Sequence, residues 1–232
     1  MGDVLVTRSK RTDDTRRLNR RTVLAALAAG GAGTVACTPD ADEGPQCNSL
    51  LWAVAWKQTA AEYFALCHQA FNLARLRVDE AIRERAGDRQ PLAVITDVDD
   101  TILHARSYWG HLIETGRDFF DDATWDEWLP DNDVTAAPGA KAFFDYCQSQ
   151  GVEVVYVQIR DLGERTFEYA LSQLQHLDCP YAVEPHLYVF REKSDKTPAR
   201  TDIESRYSVA VMLGDNLNDY RRDYYVSGIE ER

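Results

Sequence analysis

Short apolar runs alternate with longer segments of helical periodicity along residues 92–213. Each apolar run has the length of a buried strand, whereas the segments between them repeat apolar residues every three or four positions. The predicted strands are Leu92 to Thr96, Val152 to Val157, Leu187 to Phe190 and Val209 to Leu213. The predicted helices are Gly139 to Gln150, Leu162 to Leu177 and a shorter one after Lys196. This alternation predicts an α/β fold in which a parallel sheet has helices on both faces.

Two further segments add to this core. Residues 48–85 have the periodicity of one or two amphipathic helices that pack on the sheet. Their predicted buried face consists of Trp56, Ala60, Tyr63, Cys67, Ala70, Ala74, Val78 and Ala81. Residues 104–137 are acidic and rich in aromatics, and because they follow the first strand we interpret them as a small cap insert. The aromatic side chains of the cap either stack on a ring of the substrate or pack against one another.

The charge of the chain is unevenly distributed. The formal net charge is −12, yet residues 1–36 hold seven Lys or Arg against three Asp. The remaining residues are therefore strongly acidic, and an acidic surface repels polyanions. Nucleic-acid binding is accordingly excluded as a main role. A hydrophobic content of 44% over 232 residues indicates one well-buried domain.

The basic N-terminal segment has the features of an export signal. Arg20 and Arg21 directly precede the apolar run Thr22 to Ala36, which is too short to span a bilayer comfortably, and Cys37 follows this run. This arrangement predicts a twin-arginine signal of the lipoprotein type with lipidation at Cys37. Thr34 stands where the lipoprotein cleavage box usually has Leu, so two alternatives stay open: a cleaved signal without a lipid, and a cytoplasmic chain with a basic tail.

The predicted domain organisation follows from this signal. Residues 1–36 are the export signal, residues 37–47 have the composition of a flexible tether, and residues 48–232 form the folded domain. We therefore expect an exported protein that is anchored to the outer face of the bacterial cytoplasmic membrane or is periplasmic. A lipid anchor makes the membrane one of its partners.

Acidic residues gather where the predicted strands end. Asp97, Asp99 and Asp100 follow the first strand, and Asp215 and Asp219 follow the last one. The carboxyl ends of parallel strands meet at one edge of a sheet, where open α/β folds bind ligands. Carboxylates that lie close together repel one another unless a cation intervenes. Because neither His nor Cys lies nearby, the cluster favours a hard divalent cation, and we predict a Mg²⁺ site.

A basic segment lies between the two acidic strand ends. It follows the short third strand and contains Arg191, Lys193 and Lys196. A lysine ammonium about 4 Å from a phosphate contributes roughly 4 kcal/mol at an effective dielectric near 20. The segment is therefore suited to holding a phosphate group beside the acidic cluster.

The order of these motifs resembles that of the haloacid dehalogenase (HAD) superfamily of phosphohydrolases. The motifs are Asp97-Val98-Asp99-Asp100-Thr101, a downstream Lys, and Gly214-Asp215-Asn216-Leu217-Asn218-Asp219. Within the superfamily the chain is similar to the class C bacterial acid phosphatases, also called the lipoprotein e family of 5'-nucleotidases. The likeness extends through Trp56-Lys57-Gln58-Thr59, Ala61-Glu62-Tyr63, Gln69-Ala70-Phe71-Asn72-Leu73-Ala74, Trp125-Asp126-Glu127-Trp128 and Pro138-Gly139-Ala140.

The resemblance implies an aspartyl-phosphate mechanism. Asp97 is expected to attack phosphorus, and Asp99 is expected to protonate the leaving alcohol and then to activate water. Lys196 is expected to hold the phosphate. It is preferred to Lys193 because Arg200 follows it, as in the family pattern.

The resemblance also implies how Mg²⁺ is held. The expected ligands are the Asp97 side chain, the backbone carbonyl of Asp99 and the Asp215 side chain, with Asp219 either a ligand or a support for one. The expected activity is that of a magnesium-dependent acid phosphatase acting on phosphate monoesters, with nucleoside 5'-monophosphates as one substrate class. A phosphotransferase would differ by forming products with added alcohols.

Two features depart from the family pattern. In Tyr156-Val157-Gln158-Ile159-Arg160, Gln158 takes the place of a Ser or Thr that donates to phosphate, and Ile159 replaces an Asn. We expect Gln158 and the retained Arg160 to bind phosphate, although loss of one preorganised donor can cost roughly 2.7 to 4 kcal/mol in the barrier. Only 13 residues follow Asp219, so we expect an incomplete sheet edge. These departures support an alternative: a surface-anchored binding or scaffold lipoprotein with a weakened or inactive site.

Overall fold

The structure is a computed structural model that describes residues 48–85, 90–132, 134–191 and 195–224, without the side chain of Asp122. The predicted export signal, Cys37 and the predicted tether lie outside these residues. Residues 225–232, which bear on the expected sheet edge, lie outside them as well. Within the four described ranges, no helix is long and apolar enough to cross a membrane.

Four parallel strands form the central sheet. In the described part of the chain the strands are β1 (Leu92–Thr96), β2 (Leu103–His104), β3 (Thr135–Ala136), β4 (Glu153–Ile159), β5 (Leu187–Phe190) and β6 (Ser208–Leu213). The sheet has the order β5-β4-β1-β6, and each neighbouring pair is parallel. All five residues of β1 are buried, as its place inside the sheet requires. The predicted parallel sheet is therefore confirmed.

Helices connect the strands and precede them. They are α1 (Leu50–Thr59), α2 (Ala61–Glu84), α3 (Arg106–Glu114), α4 (Asp122–Trp128), α5 (Ala140–Ser149), α6 (Thr166–His176), α7 (Thr197–Arg206) and α8 (Leu217–Tyr220). The main difference from the predicted bounds is at α6, which begins at Thr166 instead of Leu162. A 3₁₀ turn at Gly163–Arg165 precedes it, and Gly163 has a φ of 73°, which an α-helix does not accommodate.

The two central strands of the sheet, β1 and β4, are buried on both faces, whereas β6 at one edge is half-buried throughout. Side chains of a strand alternate between the two faces, so neighbouring residues of β1 enter different clusters. Val94 packs in the cluster that contains Phe71 of α2 and Phe144 of α5. Ile95 packs in the second cluster, which contains Ile203 of α7. Helices thus cover both faces, as predicted.

The N-terminal segment forms two helices, which is one of the two predicted alternatives. Ala60 has an extended backbone (φ −77°, ψ 125°), which ends α1 and changes the direction of the chain before α2. The buried residues of α2 are Phe71, Ala74 and Val78. Ala74 and Val78 belong to the predicted face, but Trp56 and Ala70 are exposed, and Phe71 takes the place of Ala70 in the core.

The cap insert is closed at its base by an antiparallel ribbon. Strands β2 and β3 pair there, and α3 and α4 lie between them. The cap aromatics pack largely on one another: Tyr108 is fully buried, and its ring contacts those of Trp109, Phe120, Trp125 and Trp128. Internal packing therefore accounts for Tyr108, whereas Phe120 remains 44% exposed at the surface of the cap.

A buried histidine links α2 to the cap. The Tyr63 hydroxyl and Nε2 of His104 share a hydrogen bond of 2.5 Å, and His104 is 2% exposed. Burial, followed by the positive charges of Lys57 and Arg106, lowers the pKa of His104 from 6.5 to about 4, against the opposing charge of Asp100. The folded protein therefore keeps this ring neutral at mildly acidic pH.

We predict that this histidine makes the domain less stable in acid. The unfolded chain binds a proton at His104 near pH 6.5, whereas the folded chain does not do so until about pH 4. The free energy of unfolding should therefore fall by about 2 kcal/mol between pH 7 and pH 5 because of this residue. Urea unfolding of wild type and His104→Gln at both pH values measures the difference. His176→Gln, on an exposed ring, is the control, and equal pH dependence in all three proteins would contradict the prediction.

Candidate active site

The polar strand ends meet in one cleft at the carboxyl edge of the sheet. Asp97 follows β1, Arg160 follows β4, Lys196 directly precedes α7, and Asp215 follows β6. Because the strands are parallel, these residues come together in a cleft of about 740 Å³. The residues that line it are Asp97, Asp99, Asp100, Trp109, Phe120, Trp125, Asp126, Ile159, Arg160, Asp161, Arg191, Lys196, Asp215, Asn216, Asn218 and Asp219.

Asp97 has a fixed orientation in this cleft. It is 8% exposed, and its Oδ1 accepts a hydrogen bond of 2.5 Å from Nζ of Lys196. Its Oδ2 accepts a hydrogen bond of 2.8 Å from the Thr101 hydroxyl. The backbone N–H of Asp97 donates to the Leu213 carbonyl at 2.9 Å, which extends the pairing of β1 with β6. Both carboxylate oxygens are therefore held by named donors.

The electrostatics of Asp97 reflect burial among other charges. Burial raises its pKa to about 7; Lys196 opposes this shift, and the carboxylates of Asp219, Asp99 and Asp215 add to it. Burial by itself would lower the pKa of Lys196, but Asp97 and Asp219 outweigh it and the pKa is raised. The lysine therefore remains charged and supplies the positive charge of this part of the cleft.

Three carboxylates converge as a metal site requires. Oxygen atoms of Asp97, Asp215 and Asp219 all lie within 4.8 Å of one another. Asp215 opens to the cleft, yet desolvation by the surrounding protein, followed by repulsion from Asp219 and Asp100, raises its pKa to about 6. A donor set made only of carboxylate oxygens fits a hard divalent cation, which would also relieve this repulsion.

Asp99 is oriented by a buried arginine. The Arg160 guanidinium donates to both Asp99 oxygens, with Nε to Oδ2 at 2.9 Å and Nη2 to Oδ1. Nη1 of Arg160 donates to Oε1 of Gln173 on α6 at 2.7 Å. The guanidinium also lies 5.8 Å from the centre of the Trp125 ring. Arg160 lines the cleft, but its described hydrogen bonds make it a support for Asp99.

Gln158 lies in a different environment from the one the sequence predicts. Its side chain is fully buried, is not among the residues that line the cleft, and finds no hydrogen-bond partner in the described part of the chain. The alternation of β4 explains this placement, since Ile159, one position further along, lines the cleft instead. Of the predicted site residues that the structure describes, all except Gln158 therefore line the cleft.

Asp219 depends on the absence of a side chain at Gly214. Asp219 Oδ2 accepts a hydrogen bond of 3.0 Å from the Asn216 backbone N–H at the start of α8. Its Oδ1 accepts a hydrogen bond of 2.6 Å from Lys196. A Cβ atom at Gly214 would lie 2.8 Å from Cγ of Asp219, well inside van der Waals contact. Glycine at this position therefore lets the carboxylate reach the lysine.

Sequence reasoning missed the residues that hold the charged groups in place. Thr101 belongs to the first acidic motif, so its position gave a local signal for its contact with Asp97. Gln173 lies on α6, whereas Lys57 lies on α1. The Lys57 ammonium donates a hydrogen bond of 2.7 Å to Asp100. The apolar periodicity of their helices marks neither residue as part of the site, although Lys57 belongs to the family-like segment Trp56-Lys57-Gln58-Thr59.

Comparison with known proteins accords with this geometry. The sequence profile of HAD superfamily, subfamily IIIB (acid phosphatase), matches residues 41–227. The chain belongs to this family. The structure of this chain is similar to that of the class C acid phosphatase from Bacillus anthracis. Its tungstate-bound crystal structure has a TM-score of 0.68 and 26% identity, over 75% of this chain and 71% of that chain.

A second structure of the same Bacillus anthracis phosphatase is equally similar. It has a TM-score of 0.68 and 27% identity over the same shares of the two chains. The resemblance to class C acid phosphatases that the motifs indicate is thereby confirmed. The chain is an acid phosphatase of the HAD superfamily, and its acidic cleft lies where strand ends of that fold meet.

We predict that Gly214→Ala damages the site of this acid phosphatase without unfolding it. The added methyl group would displace Asp219 from Lys196, so kcat/KM for an aryl phosphate should fall at least about tenfold, or roughly 1.4 kcal/mol. Gly110→Ala on α3 is the control, because a Cβ at Gly110 meets nothing within 4 Å. Steady-state kinetics and circular dichroism measure both variants, and unchanged kinetics in Gly214→Ala would refute the prediction.

Proposed function

We propose that this acid phosphatase hydrolyses phosphate monoesters through an aspartyl-phosphate formed on Asp97, with Mg²⁺ bound in the acidic cleft. The observation that carries the proposal is the placement of Asp97, whose carboxylate is buried, fixed by two hydrogen bonds and paired with Lys196. The same carboxylate belongs to the cluster with Asp215 and Asp219. Asp97 is therefore the carboxylate best placed to attack the phosphorus atom of an ester whose phosphate is held by Lys196.

The first step transfers the phosphoryl group to the enzyme. An Asp97 oxygen attacks phosphorus in line, the bond between phosphorus and the ester oxygen breaks, and that oxygen leaves with the bonding electrons. Asp99 acts as the general acid and gives a proton to the leaving oxygen, so an alcohol departs. Arg160 fixes the orientation of the Asp99 carboxyl group through its paired hydrogen bonds.

The second step releases phosphate. A water molecule loses a proton to Asp99 and attacks phosphorus, and the bond between phosphorus and Asp97 breaks to restore the carboxylate. Lys196 neutralises charge on the phosphoryl oxygens in both steps. Mg²⁺, held by Asp97, the Asp99 carbonyl, Asp215 and Asp219, would supply electrostatic stabilisation of those oxygens.

The shape of the cleft bears on the substrate. Trp109 and Phe120 line it together with the charged residues, so an ester with an aryl or nucleoside group meets an aromatic surface beside the phosphate site. The Bacillus anthracis relative binds tungstate, a tetrahedral oxyanion like phosphate. We therefore place aryl phosphates and nucleoside 5'-monophosphates in the proposed substrate class.

A second candidate function follows from Gln158. Its buried amide presents no donor to the cleft, so the donor expected from the family pattern is missing at this position. A chain that bound phosphate esters and the metal but turned over slowly would act as a binding lipoprotein. Activity measurements separate the two candidates, because only the enzyme releases phosphate repeatedly.

We predict that Asp97→Asn lowers kcat at least about a thousandfold, or roughly 4 kcal/mol, because the amide is a poor nucleophile. Purified residues 38–232 are assayed with an aryl phosphate and a nucleoside 5'-monophosphate at pH 5 to 6, with Mg²⁺ and with a chelator. The chelator should also abolish turnover. Asp145→Asn, at an exposed ion pair of α5, is the matched control and should retain activity.

The intermediate is tested directly in the same experiment. Enzyme quenched in acid during turnover should carry one phosphoryl group on Asp97 by peptide mass spectrometry, and Asp97→Asn should carry none. A folded wild type that releases no phosphate would shift the assignment to the binding lipoprotein. Turnover that survives Asp97→Asn would contradict the proposed nucleophile.

We also propose that the chain is exported and lipid-anchored at Cys37, on the basis of the paired arginines and apolar run that precede it. Cys37→Ser should move the protein from the membrane fraction to the soluble fraction of bacterial cells, because a single residue carries the lipid. Cys67→Ser, a free cysteine of α2, is the control. Identical fractionation of wild type and Cys37→Ser, measured by immunoblot, would contradict the anchor.

A further inference from the structure

The carboxylate of Asp100 joins three separate parts of the fold. Its Oδ1 accepts a hydrogen bond of 2.7 Å from Nζ of Lys57 on α1. Its Oδ2 accepts a hydrogen bond of 2.9 Å from Nε1 of Trp109 on α3 of the cap. The lysine ammonium also lies 5.6 Å from the centre of the Trp109 ring. One side chain of the acidic motif is thus held from the N-terminal helix and from the cap at the same time.

These contacts hold a backbone conformation that needs support. Asp100 has a φ of 57°, in the left-handed region that few residues other than glycine adopt. Aspartate tolerates this region better than most residues, but such conformations persist where the surrounding structure fixes them. The Lys57 and Asp100 side chains are only 21% and 18% exposed. Their ion pair is therefore less screened by water than a surface pair.

The two chain neighbours of Asp100 carry the proposed chemistry. Asp99 precedes it and is the proposed acid and base, whereas Thr101 follows it and donates to Oδ2 of Asp97 at 2.8 Å. A change of φ at Asp100 would rotate the peptide planes on either side and move both side chains. Their positions therefore depend on what holds Asp100.

Lys57 acts from outside the cleft. Asp100 and Trp109 line the cleft, but Lys57 is not among its lining residues. Direct contact between the Lys57 ammonium and a bound phosphate is therefore not part of its role. Lys57 contacts Asp100, which belongs to the catalytic loop, residues 97–101.

We propose that Lys57 is a positioning residue of this phosphatase: it holds Asp100 in its left-handed conformation and thereby fixes Asp99 and Thr101 on either side of it. The inference rests on the proposed function, in which Asp97 and Asp99 perform the chemistry. It assigns to α1 a part in catalysis in addition to its packing.

The kinetic test compares two substitutions of Lys57. Lys57→Met removes the charge and should lower kcat about tenfold while changing KM less than about twofold, because the interaction acts on the reacting groups and not on substrate binding. Lys57→Arg keeps a positively charged donor for the Asp100 carboxylate, so kcat should stay within about threefold of wild type. The control is Lys141→Met, which breaks a lysine–aspartate pair on α5 and should leave kcat unchanged.

A double-mutant cycle tests the mechanism. Glycine adopts positive φ without strain, so Asp100→Gly keeps the loop conformation available without Lys57. In the Asp100→Gly background, Lys57→Met should therefore change kcat by less than about twofold, which makes the two substitutions non-additive. Fully additive losses would overturn the inference, as would wild-type kcat in Lys57→Met.

Hydrogen exchange gives a readout that does not depend on turnover. The Ile102 and Leu103 amides both donate to the Val98 carbonyl at 3.0 Å and report on the turn that contains Asp100. They should exchange faster in Lys57→Met than in wild type or Lys141→Met. If wild type released no phosphate but these amides still exchanged faster in Lys57→Met, the proposed function would be wrong. The inference that Lys57 fixes the loop conformation would then still be supported. Equal exchange in all three proteins would overturn the inference.

Discussion

The ammonium of Lys196 lies between the carboxylates of Asp97 and Asp219, and the rest of the cleft depends on this contact. All three groups are largely shielded from water, with side-chain exposures of 7–8%. Removing one partner of a buried ion pair typically costs about 3 to 5 kcal/mol, because a charge is left without compensation. The charge of Lys196 therefore offsets the repulsion between Asp97 and Asp219, so that the ends of β1 and β6 can lie side by side.

The same contact explains several local features of the chain. Gly214 has no side chain where one would push Asp219 away from the ammonium, and the Asn216 backbone orients the second oxygen of Asp219. Arg160 likewise forms an ion pair with Asp99, and its guanidinium also donates a hydrogen bond to Gln173. Three of the acidic groups are thus divided between two cations, and Asp100 has a third cation, Lys57, as its partner. This division leaves Asp215 open to the cleft, where a metal ion would complete the balance of charge.

Much of this arrangement could be predicted from local sequence. The strands Leu92–Thr96 and Leu187–Phe190 agree with their predicted bounds, because short apolar runs between polar segments have few alternatives to a buried strand. Parallel topology then brings Asp97, Asp215 and Lys196 to one edge. What sequence could not supply is the direction of individual side chains. Gln158 is a polar residue at a strand end, yet the alternation of β4 places it in the interior.

Contacts between distant elements were also beyond the reach of sequence patterns. The periodicity of residues 48–85 continues through Ala60, yet the extended backbone of this residue ends α1, which packs against α3 of the cap. Lys57 and Gln173 lie on helices whose apolar positions predict packing alone, so periodicity does not reveal the contact of Lys57 with Asp100 or that of Gln173 with Arg160. Tertiary packing decides such features, and single-sequence periodicity reports only on the face that is buried.

The sequence distance between the charged partners has a consequence for folding. Lys196 is 99 positions from Asp97, and Thr101 is 114 positions from Asp215, so the groups meet only after long loops of chain have closed. Contacts of such long range form late and slowly in comparison with helices. A folding intermediate with β1 and β4 in place would hold Asp97 without its counter-charge and without the carboxylates that follow β6. Phosphate release therefore reports on complete folding. A nascent or misassembled chain would show no activity in an enzymatic assay even if its helices had formed.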